Sequence, residues 1–145
     1  MKLTTGLMMG LVACTGCTPD TVPAASGDVI EISTGGFFSG ITTVQIFGDD
    51  HIVRRGPGRA GDLPNAPETQ RAPGGFARAA AVLASRGQTV RFALRSAGAP
   101  CPDYGSDLVT ATPPIAGIAV LSSSCPNRAL TNLISDLETA MALPK

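Results

Sequence analysis

The chain has 145 residues, and its 11 basic and 11 acidic side chains give a formal net charge of zero. The length suits one small folded domain, and a balanced charge offers no basic face of the kind that binds nucleic acid. The mean hydropathy is slightly positive, but an apolar start and many alanines account for it. The composition therefore excludes a nucleic-acid-binding domain and a domain embedded in a membrane.

The first element in chain order is an export signal. Lys2 precedes an apolar run from Leu3 to Val12, which is too short for a stable membrane span but typical of a signal peptide. The run ends in LVAC, which resembles the bacterial lipobox. The resemblance implies cleavage before Cys14 and attachment of diacylglycerol to its sulfur. An ordinary signal peptide cut near Ala13 is the alternative.

Lipidation at Cys14 would tether the mature protein to a membrane, because two or three acyl chains anchor stably where one does not. The residue after Cys14 is Thr15 and not an acidic residue. By the sorting preference of bacterial lipoproteins, this implies that the protein is anchored in the outer membrane and faces the periplasm. We expect a signal peptide over residues 1–13, a flexible tether over 14–27 and one domain over 28–143. Small residues and prolines in the tether disfavour packing.

Two further cysteines, Cys101 and Cys125, lie inside the domain, and each is followed by proline. In an exported protein such a pair most often forms a disulfide. Closing a loop of this length would contribute about 3–4 kcal/mol in the chain-entropy model. A zinc site is disfavoured because two cysteines without a nearby histidine cannot complete a tetrahedral shell.

The first half of the domain predicts three strands in a meander. DVIEIS alternates apolar and polar residues, GITTVQIFG and HIVRR follow, and GDD between the last two is a hairpin signal. Residues 56–75 contain many Gly and Pro and show no apolar period, so we expect a long disordered connection there.

The second half predicts helix, strand, hairpin and helix. The first helix is expected to start near Pro73 and stop at Gly87, followed by QTVRFALRS as a strand with Val90, Phe92 and Leu94 on its core face. A hairpin should then turn at Pro113-Pro114. Asn127 is the candidate cap of the last helix, whose apolar stripe is Leu130, Leu133, Ile134, Leu137 and Met141. The order predicts an α+β fold, with an antiparallel sheet of five or six strands and two helices on one face.

This order, together with two short motifs, resembles the small emfourin-type proteins, α+β inhibitors of thermolysin-type metalloproteases. In that family a strand leads into a Gly-Gly-Phe-x-Gly turn, which Gly35, Gly36, Phe37 and Gly40 match; Phe38 and Ser39 stand where the family has one residue. Asp103 and Tyr104 match the Asp and Tyr before the family's later strand. The resemblance implies a protease-binding surface at this turn.

The turn STGGFFSG itself allows two interpretations. Its glycines could permit a tight turn whose phenylalanines close over the core. Alternatively, one phenylalanine packs and the other serves as an exposed anchor for a protein partner. The candidate partner-binding residues are therefore Gly35, Gly36, Phe37, Phe38, Ser39 and Gly40.

Catalysis finds little support in the sequence. His51, the only histidine, follows Asp49 and Asp50 in a hairpin turn, and no zinc-protease, nucleophile-elbow or phosphate-loop motif is present. We therefore expect no enzyme activity, cofactor or metal. Two functions remain: a periplasm-facing binding module, inhibitor-like towards a protease, or an accessory lipoprotein that contacts other envelope proteins.

Overall fold

A computed structural model describes residues 27–36, 39–58, 66–96, 101–102 and 105–142. These ranges contain six strands and two helices, which confirms the predicted α+β fold. In chain order the elements are β1 (Val29–Gly36), β2 (Gly40–Phe47), β3 (His51–Gly58), β4 (Glu68–Arg71), α1 (Gly75–Arg95), β5 (Asp107–Ile115), β6 (Ile118–Ser123) and α2 (Arg128–Met141).

The strands form one antiparallel sheet in the order β4-β3-β2-β1-β5-β6. Alternation along the strands sends one set of side chains towards the helices. This set forms the core with the helices' apolar stripes and includes Ile30, Ile32, Val44, Ile46, Ile52, Val109 and Leu121. The opposite side of the sheet has no helix of the described chain packed on it, and we call it the open face.

The register defines two ends of the sheet. Val29, at the start of β1, pairs with Phe47 and with Thr112, so the β2–β3 and β5–β6 turns lie at this end, which we call the entry end. Gly36 pairs with Gly40 at the other end of β1, which we call the turn end. With about 3.3 Å per residue, the two ends of β1 are about 23 Å apart.

Helix α1 corrects the strand expected for QTVRFALRS. The helix starts close to Pro73, as predicted, but continues through Gly87 to Arg95. A Cβ at Gly87 would lie 2.8 Å from Ile118 Cγ1, so this glycine lets the helix pack tightly on β6. Val90 and Leu94, which suggested strand alternation, are four residues apart and share one face of the helix, whereas Phe92 points to solvent.

Two smaller predictions are also wrong. Within residues 56–75, expected to be disordered, Gly56 to Gly58 belong to β3, and Glu68 to Arg71 form β4, which pairs with β3. The β5–β6 hairpin turns at Ala116 and Gly117, where φ is 49° and 77°, and not at Pro113-Pro114. Proline fixes φ near −65° and cannot supply these positive values.

Helix α2 agrees with its prediction in detail. The Asn127 side chain caps its N-terminus by accepting hydrogen bonds from Ala129 N and Leu130 N. The five residues of the predicted apolar stripe are all buried. Neither described helix is both long enough and apolar enough to cross a membrane.

Candidate functional site

The β1–β2 turn is built on closely packed backbone. Gly35 has a φ of 132°, and a Cβ there would overlap the carbonyl oxygen of Gly40. Ser39 Oγ accepts a hydrogen bond of 3.0 Å from Gly36 N. Gly35 is therefore required by the geometry, and the serine ties the two sides of the turn together.

The segment before β5 packs directly against this turn. Ser106 N donates a 2.9 Å hydrogen bond to Gly35 O. Gly105 has a φ of 95°, and a Cβ there would overlap Gly35 O and Gly36 Cα. Gly35 and Gly36 thus meet Gly105 and Ser106, about 70 residues later in the chain, at the turn end of the sheet.

The domain cysteines lie beside this contact. Cys101 and Cys125 are at disulfide-bonding distance, with Cα atoms 5.0 Å apart. Cys125 follows β6 at the turn end, where Ser123 pairs with Asp107. A bond between the two cysteines fastens the segment that leads to Gly105 onto the sheet, and so helps to hold Gly105 against Gly35.

Several predicted site residues lie outside the described ranges. They are the lipidation candidate Cys14, the turn residues Phe37 and Phe38, and the pair Asp103 and Tyr104. Of the candidate partner-binding residues, the structure brings Gly35, Gly36, Ser39 and Gly40 together in the turn.

A polar ladder crosses the open face of the sheet below the turn. Gln45 Nε2 donates a 2.6 Å hydrogen bond to Glu31 Oε2, and Arg55 Nη1 donates a 2.9 Å hydrogen bond to Gln45 Oε1. Ser33 Oγ and Thr43 Oγ1 are 3.2 Å apart one row nearer the turn. These cross-strand pairs hold the side chains in place on the open face.

Ile41 is an apolar residue of this surface for which the sequence predicted no role. It pairs with Gly35 at the start of β2 and is 54% exposed. The signal was present in the sequence: Val44 and Ile46 face the core, and an odd position on the same strand faces the other way. Ile41 gives the turn end an exposed apolar side chain beside Gly35.

The Asp49-Asp50-His51 turn serves the fold at the entry end. Asp50 Oδ2 accepts a 2.7 Å hydrogen bond from Gly74 N, and Asp50 Oδ1 accepts a 3.0 Å hydrogen bond from Phe76 N, so Asp50 caps α1. The N–H groups of Phe76 and Gly74 lower the pKa of this carboxyl, with smaller help from Arg78 and Arg71 and against slight burial. The Nδ1 atom of His51 is buried and has no hydrogen-bond partner among the described residues.

In the part of the chain that the structure describes, no three His, Cys, Asp or Glu residues are grouped so as to hold a metal ion. An open groove of about 240 Å³ along β3 and β4 is lined by Ile52, Arg54, Glu68, Thr69 and Gln70.

Comparisons with protein families, with curated proteins and with solved structures find no match to this chain.

Proposed function

We propose that this chain is a bacterial envelope lipoprotein, anchored through Cys14, whose domain binds a protein partner at the turn end and performs no catalysis. The partner class is a thermolysin-type metalloprotease, which the domain would inhibit. The observation that carries the proposal is the contact of Gly105 with Gly35 and Gly36. It joins the two stretches on which the resemblance to the emfourin-type inhibitors rests, although they are distant in sequence.

The direction of the anchor supports this function. The tether would join the domain at Gly27, next to the entry end of β1, and the turn lies at the opposite end, about 23 Å away. The turn end is therefore the end of the domain farthest from the point where the tether would attach. A soluble protease could therefore reach it without approaching the lipid.

The character of the surface also supports a protein partner. The turn end combines the glycine backbone of the turn, the hydroxyl of Ser39 and the exposed side chain of Ile41. The hydrogen-bonded ladder of Glu31, Gln45 and Arg55 lies next to them on the open face. Protein interfaces combine an apolar centre with a polar rim.

The anchoring is tested by Cys14→Ser. The wild-type protein should sediment with outer membranes, and the variant, which has no sulfur to carry the lipid, should appear in the soluble fraction. A variant that remains in the membrane pellet would refute lipidation at Cys14.

The binding function is tested by titrating the full-length protein, in detergent, into a thermolysin-type protease. We expect inhibition by the wild type, and a loss of at least about 2 kcal/mol in binding for Phe38→Ala, the size typical of an aromatic anchor. The melting temperature should change little. Phe37→Ala tests the neighbouring side chain in the same assay.

Phe92→Ala is the matched control, since it removes a phenylalanine that is exposed on α1, outside the proposed surface. If the wild type does not inhibit, the protease-inhibitor function is wrong and an accessory role among envelope proteins is favoured. If both turn variants unfold the domain, the two rings are part of the core, where truncation of a buried phenylalanine lowers the free energy of unfolding by about 3–5 kcal/mol.

A further inference from the structure

Helix α1 exposes a large aromatic side chain that the core does not use. Phe92 is 73% exposed. It lies nine residues, or two and a half turns, after buried Leu83 and therefore on the opposite side of the helix. An exposed phenylalanine adds little to folding stability. The residues around Phe92 therefore indicate what its ring would contact.

Two arginines lie close to Phe92 in the helix sequence. Arg91 and Arg95 are exposed, and neither forms an ion pair with any described residue. We call these three residues the Arg91–Phe92–Arg95 patch. α1 has no acidic residue. Its two other arginines are engaged, since Arg86 pairs with Asp136 and Arg78 donates to the carbonyls of Pro73, Ala140 and Ala142.

The patch borders the entry end of the sheet. Gln88 precedes Phe92 by one helical turn on the same face, and its Nε2 atom donates a 2.8 Å hydrogen bond to Ala116 O in the β5–β6 turn. That turn lies at the end where β1 begins. Gln88 therefore lies near the end from which the tether would leave the domain, and Phe92 follows it by one helical turn.

We propose that the Arg91–Phe92–Arg95 patch rests on anionic lipid headgroups of the membrane that holds the anchor. Aromatic rings favour the headgroup region of a bilayer, and arginines near the surface are attracted to anionic lipids. The contact would fix the orientation of the domain and keep the turn end directed into the periplasm. This inference rests on the lipidation proposed at Cys14, and not on inhibition of a protease.

The sequence allows a direct test because the chain contains no tryptophan. Phe92→Trp places a single fluorophore in the patch, and Ile41→Trp places one at an exposed position of the turn end. Each lipidated full-length variant is reconstituted into vesicles of phosphatidylcholine and phosphatidylglycerol that contain brominated acyl chains. We expect strong quenching at position 92 and little at position 41.

Charge is tested in the Phe92→Trp background. Arg91→Gln with Arg95→Gln should reduce quenching about twofold or more, as should high salt, because surface attraction is screened. Arg54→Gln with Arg128→Gln is the matched control, since both arginines are exposed on other elements, and it should change little.

Four results would overturn the inference. Equal quenching at positions 92 and 41 would show that the domain has no preferred orientation on the membrane. Quenching at position 92 that is equally strong in vesicles of phosphatidylcholine alone would show that anionic headgroups are not needed. If the chain does not float with vesicles at all, the anchor and the patch contact are both wrong, whereas a protein that floats without quenching at position 92 keeps the anchor and loses only the contact.

Discussion

The contact between the segment before β5 and the β1–β2 turn can be tested by Gly105→Ala, with Gly117→Ala as its control. Both glycines have positive φ values, 95° and 77°, so alanine is strained at either position. They differ in space: a Cβ at Gly105 would overlap the backbone of Gly35 and Gly36, whereas at Gly117 the nearest atom is Gln88 Nε2 at 3.7 Å.

The expected magnitudes follow from these two facts. Alanine forced into a left-handed conformation costs about 1–2 kcal/mol, and this applies to both variants. Overpacking adds about 1–3 kcal/mol and applies only to Gly105→Ala. The free energy of unfolding should therefore fall by about 1–3 kcal/mol more for Gly105→Ala, or about 4–12 °C in melting temperature for a domain of this size.

Thermal and urea unfolding of both variants provide the measurement. If the turn end is the partner surface, Gly105→Ala should also weaken inhibition, since the segment must move off Gly35, and Gly117→Ala should not. Equal destabilisation by the two substitutions would refute the close contact at Gly105, and with it the observation on which the proposed function depends.

Two further predictions concern the cap and the cysteines. Asp50→Ala should destabilise the domain by about 0.5–2 kcal/mol in urea unfolding, because α1 loses its cap, and by the further cost of placing alanine at the positive φ of 67°. Because folding lowers the pKa of Asp50, its stabilising effect is complete above the unfolded value of about 3.9 and is lost as the pH falls through the folded value. The stability of the variant should therefore approach that of the wild type in acid. A constant difference in stability down to pH 2 would contradict the cap. For Cys101 and Cys125, non-reducing mass analysis should show a protein two protons lighter than the reduced form, and reduction should cost about 3–4 kcal/mol; two free thiols would exclude the bond.

Local periodicity was sufficient to predict most of the sheet and all of α2. β1 to β3 alternate in hydrophobicity with clear turn residues between them, and α2 has an apolar stripe and an Asn127 cap within its own sequence. Each of these elements carries its signal in residues that are close together. Their side chains also face one continuous core.

The failures occurred where the decisive contact is distant in sequence. Gly87 suggested a helix end, but Ile118 of β6 explains why a glycine is needed inside the helix. β4 has only exposed side chains, so no hydrophobic pattern marks it, and it exists through backbone pairing with β3. Asp50 caps a helix that starts more than twenty residues later, as the numbering shows.

At the turn end, the sequence suggested a tight turn but not its neighbours. The glycines of STGGFFSG were explained as turn residues, whereas Gly35 and Gly36 also accommodate Gly105. Ile41 is apolar like Val44 and Ile46 of the same strand, but its odd position in the alternation exposes it. Phe37 and Phe38 lie outside the described residues, and their role stays a prediction.

The position of β1 in the sheet has a mechanical consequence for a lipid-anchored protein. β1 is a central strand, hydrogen-bonded to β2 along its whole length and to β5 along its first part. In the proposed lipoprotein, a partner bound at the turn end and a lipid holding the other end would pull along this strand. The hydrogen bonds on both sides of β1 would then carry the load in shear and in parallel, so the strand that connects the domain to its anchor is also the one best placed to resist extraction.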